Sequence, residues 1–483
     1  MAFLLGAEVP GNGIDLLAID CGTVIAAAGC GKTHLIAQTL KRYTGRKPIL
    51  VLTHTNAGVV ALRGRLNRAC VSSKVYRLYT IDGWAMRLIS MFPMRSGHDP
   101  DILKVLQPRN DYPFIREAAI KLLKAGHVSD ILAATYERLI VDEYQDCSIY
   151  QHGIVTSLAQ ILPTCVLGDP LQAIFGFGTD RLVNWEEDVC VCFPLVEELV
   201  TPWRWINANA EPLGRWLLDV RGMLLRGDPI DLSVAPDAVS WVELNGRDDI
   251  QRRREAALMR LPDNNGCVLI IGDSVNPKSQ CLFASQTPGA VTVEAVDMKD
   301  LISFAHNFDL SSTDALTNLI QFAQSVMTNV GASNLIQRIR SLSHGTAHNP
   351  PTEIEQVALA FVQSPSHRAA VDLLVSIGKG NSVRAYRPTV LRACIKALHL
   401  CSSTAGMSFN DAVLPVREQY RMVGRPLPRR AVGSTLLLKG LEADAVVILN
   451  AGNLNTRNLY VAMTRGSRAL TICSQTPILN PVR

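Results

Sequence analysis

The segment AAAGCGKTH, Ala26 to His34, carries an apolar run through two glycines into a Lys-Thr pair. Residues of these types at this spacing can hold phosphate. Gly29 and Gly31 let the backbone close tightly enough for the N–H groups of Ala28, Gly29, Cys30, Gly31 and the residues after them to surround an anion. The helix opened by Lys32, Thr33 and His34 points the positive end of its dipole at the same place. Lys32 is long enough to reach a β- or γ-phosphate, and the Thr33 hydroxyl can ligate Mg²⁺. The expected cofactors are ATP, or another nucleoside triphosphate, and Mg²⁺. Ala26 occupies the position at which this pattern usually has its first glycine.

Such a site needs an acid at the end of a neighbouring strand, and RLIVDEYQD, ending at Asp146, supplies one. Asp142 is placed to hold Mg²⁺ through water, and Glu143 to act as the general base that polarises the attacking water.

These side chains need a rigid frame. Apolar runs at Thr23 to Ala28, Pro48 to Leu52, Arg138 to Val141 and Thr164 to Leu167 alternate with helical patterns, as in a parallel sheet covered on both faces. Glu197 to Val200, Cys267 to Ile271, Gly433 to Leu437, Ala445 to Leu449 and Ala469 to Cys473 read as strands of a second sheet. Residues 85 to 135 and roughly 290 to 430 are mainly helical. In the longer stretch Leu316, Leu319, Ile320, Ala323, Met327 and Val330 fall on one helix face, the pattern of a buried core stripe. RPLPRR, residues 425 to 430, reads as a basic linker back to the second sheet.

The chain has 483 residues, enough for two to four units that each bury their own core. A net charge of +5 permits a nucleic-acid partner without requiring one. Twelve cysteines include no CxxC pair, so free thiols in a reducing cytoplasm are expected, with no structural metal. The opening MAFLLGAEVP lacks the basic start and cleavage site of a signal peptide, and no apolar run has membrane-spanning length.

These segments, with others in the same order along the chain, resemble the UvrD/Rep/PcrA helicases of superfamily 1. THTNAGV, starting at Thr53, is similar to motif Ia, and YTIDGWAMRLI, starting at Tyr79, to the next strand-contacting motif. VDEYQDCS corresponds to motif II, LGDPLQAIFGF to III, TPWRW to IV, LLLKGLEADAVVI to V and NLYVAMTRGSRAL to VI. The resemblance implies an α/β chain of two RecA-like parallel-sheet P-loop domains, each with a mainly helical insertion. Residues 1–84 and 136–190 form the first domain, with 85–135 its short insertion. Residues 191–290 and 431–483 form the second, with 291–430 as its insertion.

On matching positions the resemblance implies that Gln172 senses the γ-phosphate and that Arg204 and Arg465 are arginine fingers from the second domain. The resemblance further implies that Trp203 stacks on the base, that the Glu442 carboxylate meets the ribose, and that Gly440 belongs to the same nucleotide-binding set. Thr53, His54, Asn56, Thr80, Trp84, Phe175 and Phe177 are the candidate contacts to nucleic acid. The implied activity is ATP-dependent translocation on single-stranded or forked DNA with unwinding of duplex. The family also implies 3′ to 5′ polarity and hydrolysis at a cleft between the domains.

Three positions depart from the family's pattern. Residues 1 to 31 hold no glutamine to read adenine, Leu436 replaces a common histidine, and Gly178 a common arginine. With the short insertion, these motivate a second reading: a nucleic-acid-gated NTPase that serves a partner nuclease in repair or in an anti-phage complex of the Gabija type.

Overall fold

The computed structural model describes residues 14–176, 181–260, 266–295, 297–404, 406–422 and 427–482. They fall into two compact units. One holds the described residues within Met1–Ser240, Leu454–Ala469 and Pro477–Arg483; the other holds those within Trp241–Asn453 and Leu470–Thr476.

The first unit is built on six strands: β1 (Cys21–Ala26), β2 (Ile49–Thr53), β3 (Tyr76–Thr80), β4 (Leu139–Asp142), β5 (Thr164–Gly168) and β6 (Leu195–Leu199). Their order is β3-β2-β4-β5-β1-β6, and every neighbouring pair is parallel. The strands β2, β4 and β5 are buried at every residue, as their unbroken apolar runs require. Helices α1 (Lys32–Arg42) and α2 (Asn56–Arg68) pack Ile36, Leu40, Leu62 and Leu66 on one side of the sheet. On the other side α3 (Ile81–Met91), α4 (Pro108–Lys124), α5 (Ser129–Thr135) and α6 (Ile149–Ala159) share a second core with Leu50, Leu52 and Val141.

One strand departs from the sequence-based expectation. The run at Glu197 to Val200, expected in the second sheet, is β6, and it pairs with β1 at the edge of the first. The boundary expected between residues 190 and 191 therefore falls inside the first sheet. Leu195, Val196 and Glu197 are exposed, so this edge strand has too weak an apolar pattern to assign it to either sheet.

A second sheet is made of β7 (Val239–Glu243), β8 (Val268–Ile271), β9 (Ala290–Thr292), β10 (Arg430–Gly433), β11 (Ala443–Ile448) and β12 (Gly466–Ser474), in the order β9-β10-β8-β11-β12-β7; its residues belong to the second unit except Val239, Ser240 and Gly466–Ala469, which belong to the first. The pairs β9·β10, β10·β8 and β8·β11 are parallel. The expected strand Gly433 to Leu437 is corrected: β10 ends at Gly433, and Ser434 caps a helical turn at Thr435–Leu438. Among the described residues, seven helices between Lys299 and Met422 enclose a separate core, in which Phe304 stacks on Phe322 at 4.2 Å. Leu319, Ile320 and Ala323 lie buried on the helix Ala315–Val326 as the stripe predicts, but Met327 has left that helix for a two-residue strand. All twelve cysteines are free thiols. Among the described residues no helix is long and apolar enough to cross a membrane.

Candidate active site

The candidate phosphate loop follows β1, and α1 begins at Lys32 with Gly31 as its N-cap. Gly29 and Gly31 both have left-handed backbones, with φ of 73° and 90°. A side chain is strained in that region, so the turn needs glycine for its shape as well as for ligand approach. The loop is also backed closely. A Cβ on Gly29 would lie 2.5 Å from the Trp205 ring, and one on Gly31 would lie 3.2 Å from Trp203. The Gly29 carbonyl accepts the Arg204 N–H at 3.0 Å, which ties the loop to the short helix Trp203–Ile206.

Two loop amides are already engaged. The Ala28 N–H donates to the Tyr460 hydroxyl at 3.1 Å, and the Cys30 N–H donates to the Ala27 carbonyl at 3.1 Å. This corrects the expectation that both face phosphate: they hold the loop's shape. Burial pushes the Cys30 thiol up to about 12, so it is a packing group and no nucleophile. His34 is exposed on the first turn of α1.

Lys32 Nζ lies 2.9 Å from Asp142 Oδ1 and 2.5 Å from Glu143 Oε1. Burial alone would lower its pKa, but the two carboxylates more than offset this and hold the ammonium charged. Burial raises Asp142, Lys32 pulls it back down and Glu143 raises it again; the net direction is upward. Thr33 Oγ1 accepts a hydrogen bond from Arg65 Nη1 at 2.7 Å. Thr33 and Asp142 are oxygen donors of the hard type that suits Mg²⁺. Each is met here by a cationic side chain, Arg65 and Lys32, so the pair fits a divalent cation in charge and in donor type. Arg65 sits on α2, and nothing in its spacing from the glycine loop marks it.

Glu143 itself has φ 56° and ψ 41°, an uncommon conformation for a residue with a side chain. From it a relay runs to Gln172 and Arg465 through Gln145 and Asp169, two groups given no role by the sequence reading. Gln145 Nε2 donates to Glu143 Oε2 at 2.5 Å, while Gln145 Oε1 accepts the Asp169 N–H at 3.1 Å. Strand β5 lies between β1 and β4. Its last residue, Gly168, leaves room for this crossing, since a Cβ there would sit 2.6 Å from Gln145 Oε1. Gln172 Nε2 then donates to Asp169 Oδ2 at 3.0 Å, and Arg465 Nη2 donates to Gln172 Oε1 at 3.4 Å. Asp169 is fully buried and paired with Arg221, which also bonds Glu198 at 2.7 Å.

Arg204 and Arg465 are expected to project from the second domain; both lie in the first compact unit. Arg465 is 4% exposed, its Nε donating to the Val461 carbonyl at 2.9 Å. Arg204 donates to the Thr464 carbonyl and lies over the Trp205 ring. The reason is the chain's path: the helix Thr456–Met463 and the residues after it pack with the first unit. Gly440 and Glu442 lie in the second unit, in the turn before β11; Gly440 has φ 81°, and Glu442 is exposed.

The family description "UvrD/REP helicase N-terminal domain" matches residues 20–112 and 109–185, the stretch that carries Lys32, Asp142, Glu143 and Gln172. Residues 20–185 thus resemble the N-terminal domain of the UvrD/Rep helicases. Among curated proteins no sequence matches. Two solved structures are similar at low level. One is the arterivirus nonstructural protein 10 helicase in complex with DNA, at 10% identity and a TM-score of 0.35, over 95% of this chain and 61% of that one. The other is the Pif1 helicase of Candida albicans, at 11% identity and a TM-score of 0.39, over 95% of this chain and 91% of that one. The chain thus spans about three fifths of the length of the viral helicase.

The candidate strand contacts separate into two groups. His54 and Phe175 are half-buried and meet with ring centroids 5.4 Å apart, and Asn56 is exposed at the start of α2. Trp84 and Thr53 need correction. Trp84 is 2% exposed, because Ile81, Trp84, Ala85, Leu88 and Ile89 form the apolar stripe that seats α3 on the sheet. Thr53 is 1% exposed at the end of β2. The Thr80 hydroxyl accepts the Gly83 N–H at 3.0 Å, capping α3. Phe177 and Gly178 lie outside the described residues.

Proposed function

We propose that this chain hydrolyses ATP with Mg²⁺ and couples the reaction to movement along single-stranded DNA, with 3′ to 5′ polarity and separation of a forked duplex. The observation that carries the reading is the connected network from Lys32 through Glu143, Gln145, Asp169 and Gln172 to Arg465, set beside the glycine loop. A phosphate arriving at the loop competes with Asp142 and Glu143 for the Lys32 ammonium. Transfer of that ammonium to the phosphates frees Glu143 to orient the attacking water and Asp142 to hold the metal with Thr33. Mg²⁺ held by Thr33 and Asp142 would supply neutralising charge to the phosphates. Arg465 and Arg204 add permanent positive charge for the transition state. Gln172 belongs to the relay and Phe175 follows it in the same segment, which supports a link between phosphate state and the strand-contacting aromatics.

The test is ATP hydrolysis with and without single-stranded DNA, for wild type, Lys32→Ala and Glu143→Gln, beside forked-duplex unwinding. Stimulation by single strands and loss of turnover in both variants are expected. Undiminished hydrolysis in Lys32→Ala overturns the site. Strong strand-stimulated hydrolysis without unwinding replaces the helicase reading with that of a gated NTPase working for a partner.

A further inference from the structure

Residues 21 to 81 contain no Asp or Glu, although the chain's average of 43 in 483 would place about five there. The same stretch holds ten Lys and Arg, so it carries +10 in a chain whose total is +5. The remaining residues are therefore net acidic, and the basic character of this protein is the property of one segment. Three of the ten cations are accounted for: Lys32 by Asp142 and Glu143, Arg65 by Thr33, and Lys47 by Glu137 at 3.6 Å.

The topology gathers most of the others at one place. In a parallel sheet the helices run against the strands, so helix ends and strand starts share an edge. Lys41 and Arg42 close α1, Arg68 closes α2, and Arg46 lies just before β2. Lys74 precedes the edge strand β3, and Arg77 turns back from it to donate to the Ser73 carbonyl at 3.1 Å. All six are exposed, and none is ion-paired with a described carboxylate. Cations in the last turn of a helix complement its dipole, and each alone needs no ligand. What that chemistry does not account for is the missing carboxylates, since surface charge is ordinarily mixed in sign. The nearest acids on this edge, Glu137 and Asp20, stand at the starts of β4 and β1, beyond β2 in the sheet order.

We propose that this edge of the first unit, around the ends of α1 and α2 and the start of β3, is a second nucleic-acid contact that binds the phosphate backbone of duplex DNA without reading its sequence. The inference rests on the proposed nucleic-acid function. It differs from it in place: the glycine loop and Asp142 lie at the opposite ends of strands that span roughly 16 Å. Charge complementarity with a regular array of phosphates selects duplex, and such binding acts by releasing counterions.

The experiment titrates a labelled forked DNA with a duplex arm, and separately a short single-stranded oligonucleotide, over a range of salt. Wild type is compared with Lys41→Gln/Arg42→Gln/Lys74→Gln/Arg77→Gln, whose four positions are exposed. For the forked DNA the slope of log affinity against log salt is expected to fall by about 2 to 3.5, at about 0.9 for each phosphate no longer neutralised. Hydrolysis stimulated by the short oligonucleotide is expected to stay at the wild-type level. An unchanged slope for forked DNA, with normal stimulation by the oligonucleotide, overturns this inference and leaves the proposed function standing. Competition by polyglutamate stronger than by duplex overturns it in favour of an acidic protein partner. Failure of wild type to bind any nucleic acid refutes the proposed function and this inference with it.

Discussion

Lys32 Nζ is shared between Asp142 Oδ1 at 2.9 Å and Glu143 Oε1 at 2.5 Å, so the candidate phosphate-binding cation and the candidate base neutralise each other. On the proposed function, nucleotide binding breaks the Lys32–Glu143 contact. Replacing Glu143 by Gln removes a competitor for Lys32 as well as the base. Glu143→Gln is expected to bind ATP at least as tightly as wild type while its turnover falls about a hundredfold or more, by the contribution of a general base. Lys32→Ala should lose both binding and turnover. A fluorescent-nucleotide titration beside single-turnover hydrolysis decides; weaker ATP binding in Glu143→Gln would show that the pair does not compete with phosphate.

The backbone of Glu143 offers a separate test. At φ 56° a side chain costs about 1 kcal/mol that glycine does not. Glu143→Gly and Glu143→Ala delete the same carboxylate, so their difference isolates the backbone. Glu143→Gly is expected to be the more stable of the two by about 1 kcal/mol in denaturant unfolding, with both inactive. Equal stabilities would mean that the turn relaxes once the side chain is gone.

What is legible in the sequence follows from how local each signal is. The glycine loop, Lys32, Asp142 and Glu143 are readable because strand, turn and helix chemistry act within a few residues. Trp84 misleads because the motif it belongs to also supplies the stripe that buries α3, and a single sequence does not separate the two uses of an aromatic. Arg65, Gln145 and Tyr460 carry no such signal because each acts across 24 to 432 positions of chain, through contacts made only by the fold. Strand β6 reads into the wrong sheet for a related reason: an edge strand with exposed residues gives neither an unbroken apolar run nor a turn signal to place it.

The packing behind the phosphate loop predicts unequal tolerance of its two glycines. The Trp205 ring that backs Gly29 is 1% exposed, with its indole N–H donated to the Gly466 carbonyl at 2.9 Å. It is pinned, and a methyl group 2.5 Å away must displace it or the loop. Gly29→Ala is expected to lose about 2 to 4 kcal/mol of stability, from overpacking together with the left-handed backbone. Gly31→Ala meets only the half-buried Trp203 at 3.2 Å and should lose about 1 kcal/mol, while still weakening nucleotide binding. Thermal unfolding of the two variants checks the order, and a Gly29→Ala protein as stable as Gly31→Ala would refute the pinned-ring account.

Behind Asp142 and Glu143, Tyr144 and His152 give the first unit a dependence on pH. His152 is 8% exposed, its Nδ1 lies 2.8 Å from the Tyr144 hydroxyl, and Phe193 meets both rings edge-on. Burial lowers the imidazole below its ordinary 6.5, against a smaller upward pull from Asp188. Burial also keeps the Tyr144 hydroxyl protonated, so it donates to a neutral Nδ1. The unfolded chain therefore takes up a proton at His152 before the folded chain does. Stability is full above the unfolded value of 6.5 and declines as pH falls below it towards the folded pKa, by at most about 1.4 kcal/mol per pH unit. His152→Gln keeps an acceptor for Tyr144 and does not titrate. Urea midpoints should therefore fall further between about pH 7.5 and 5.5 for wild type than for His152→Gln, and equal losses would mean that His152 is already charged, or free to reach water, in the folded protein.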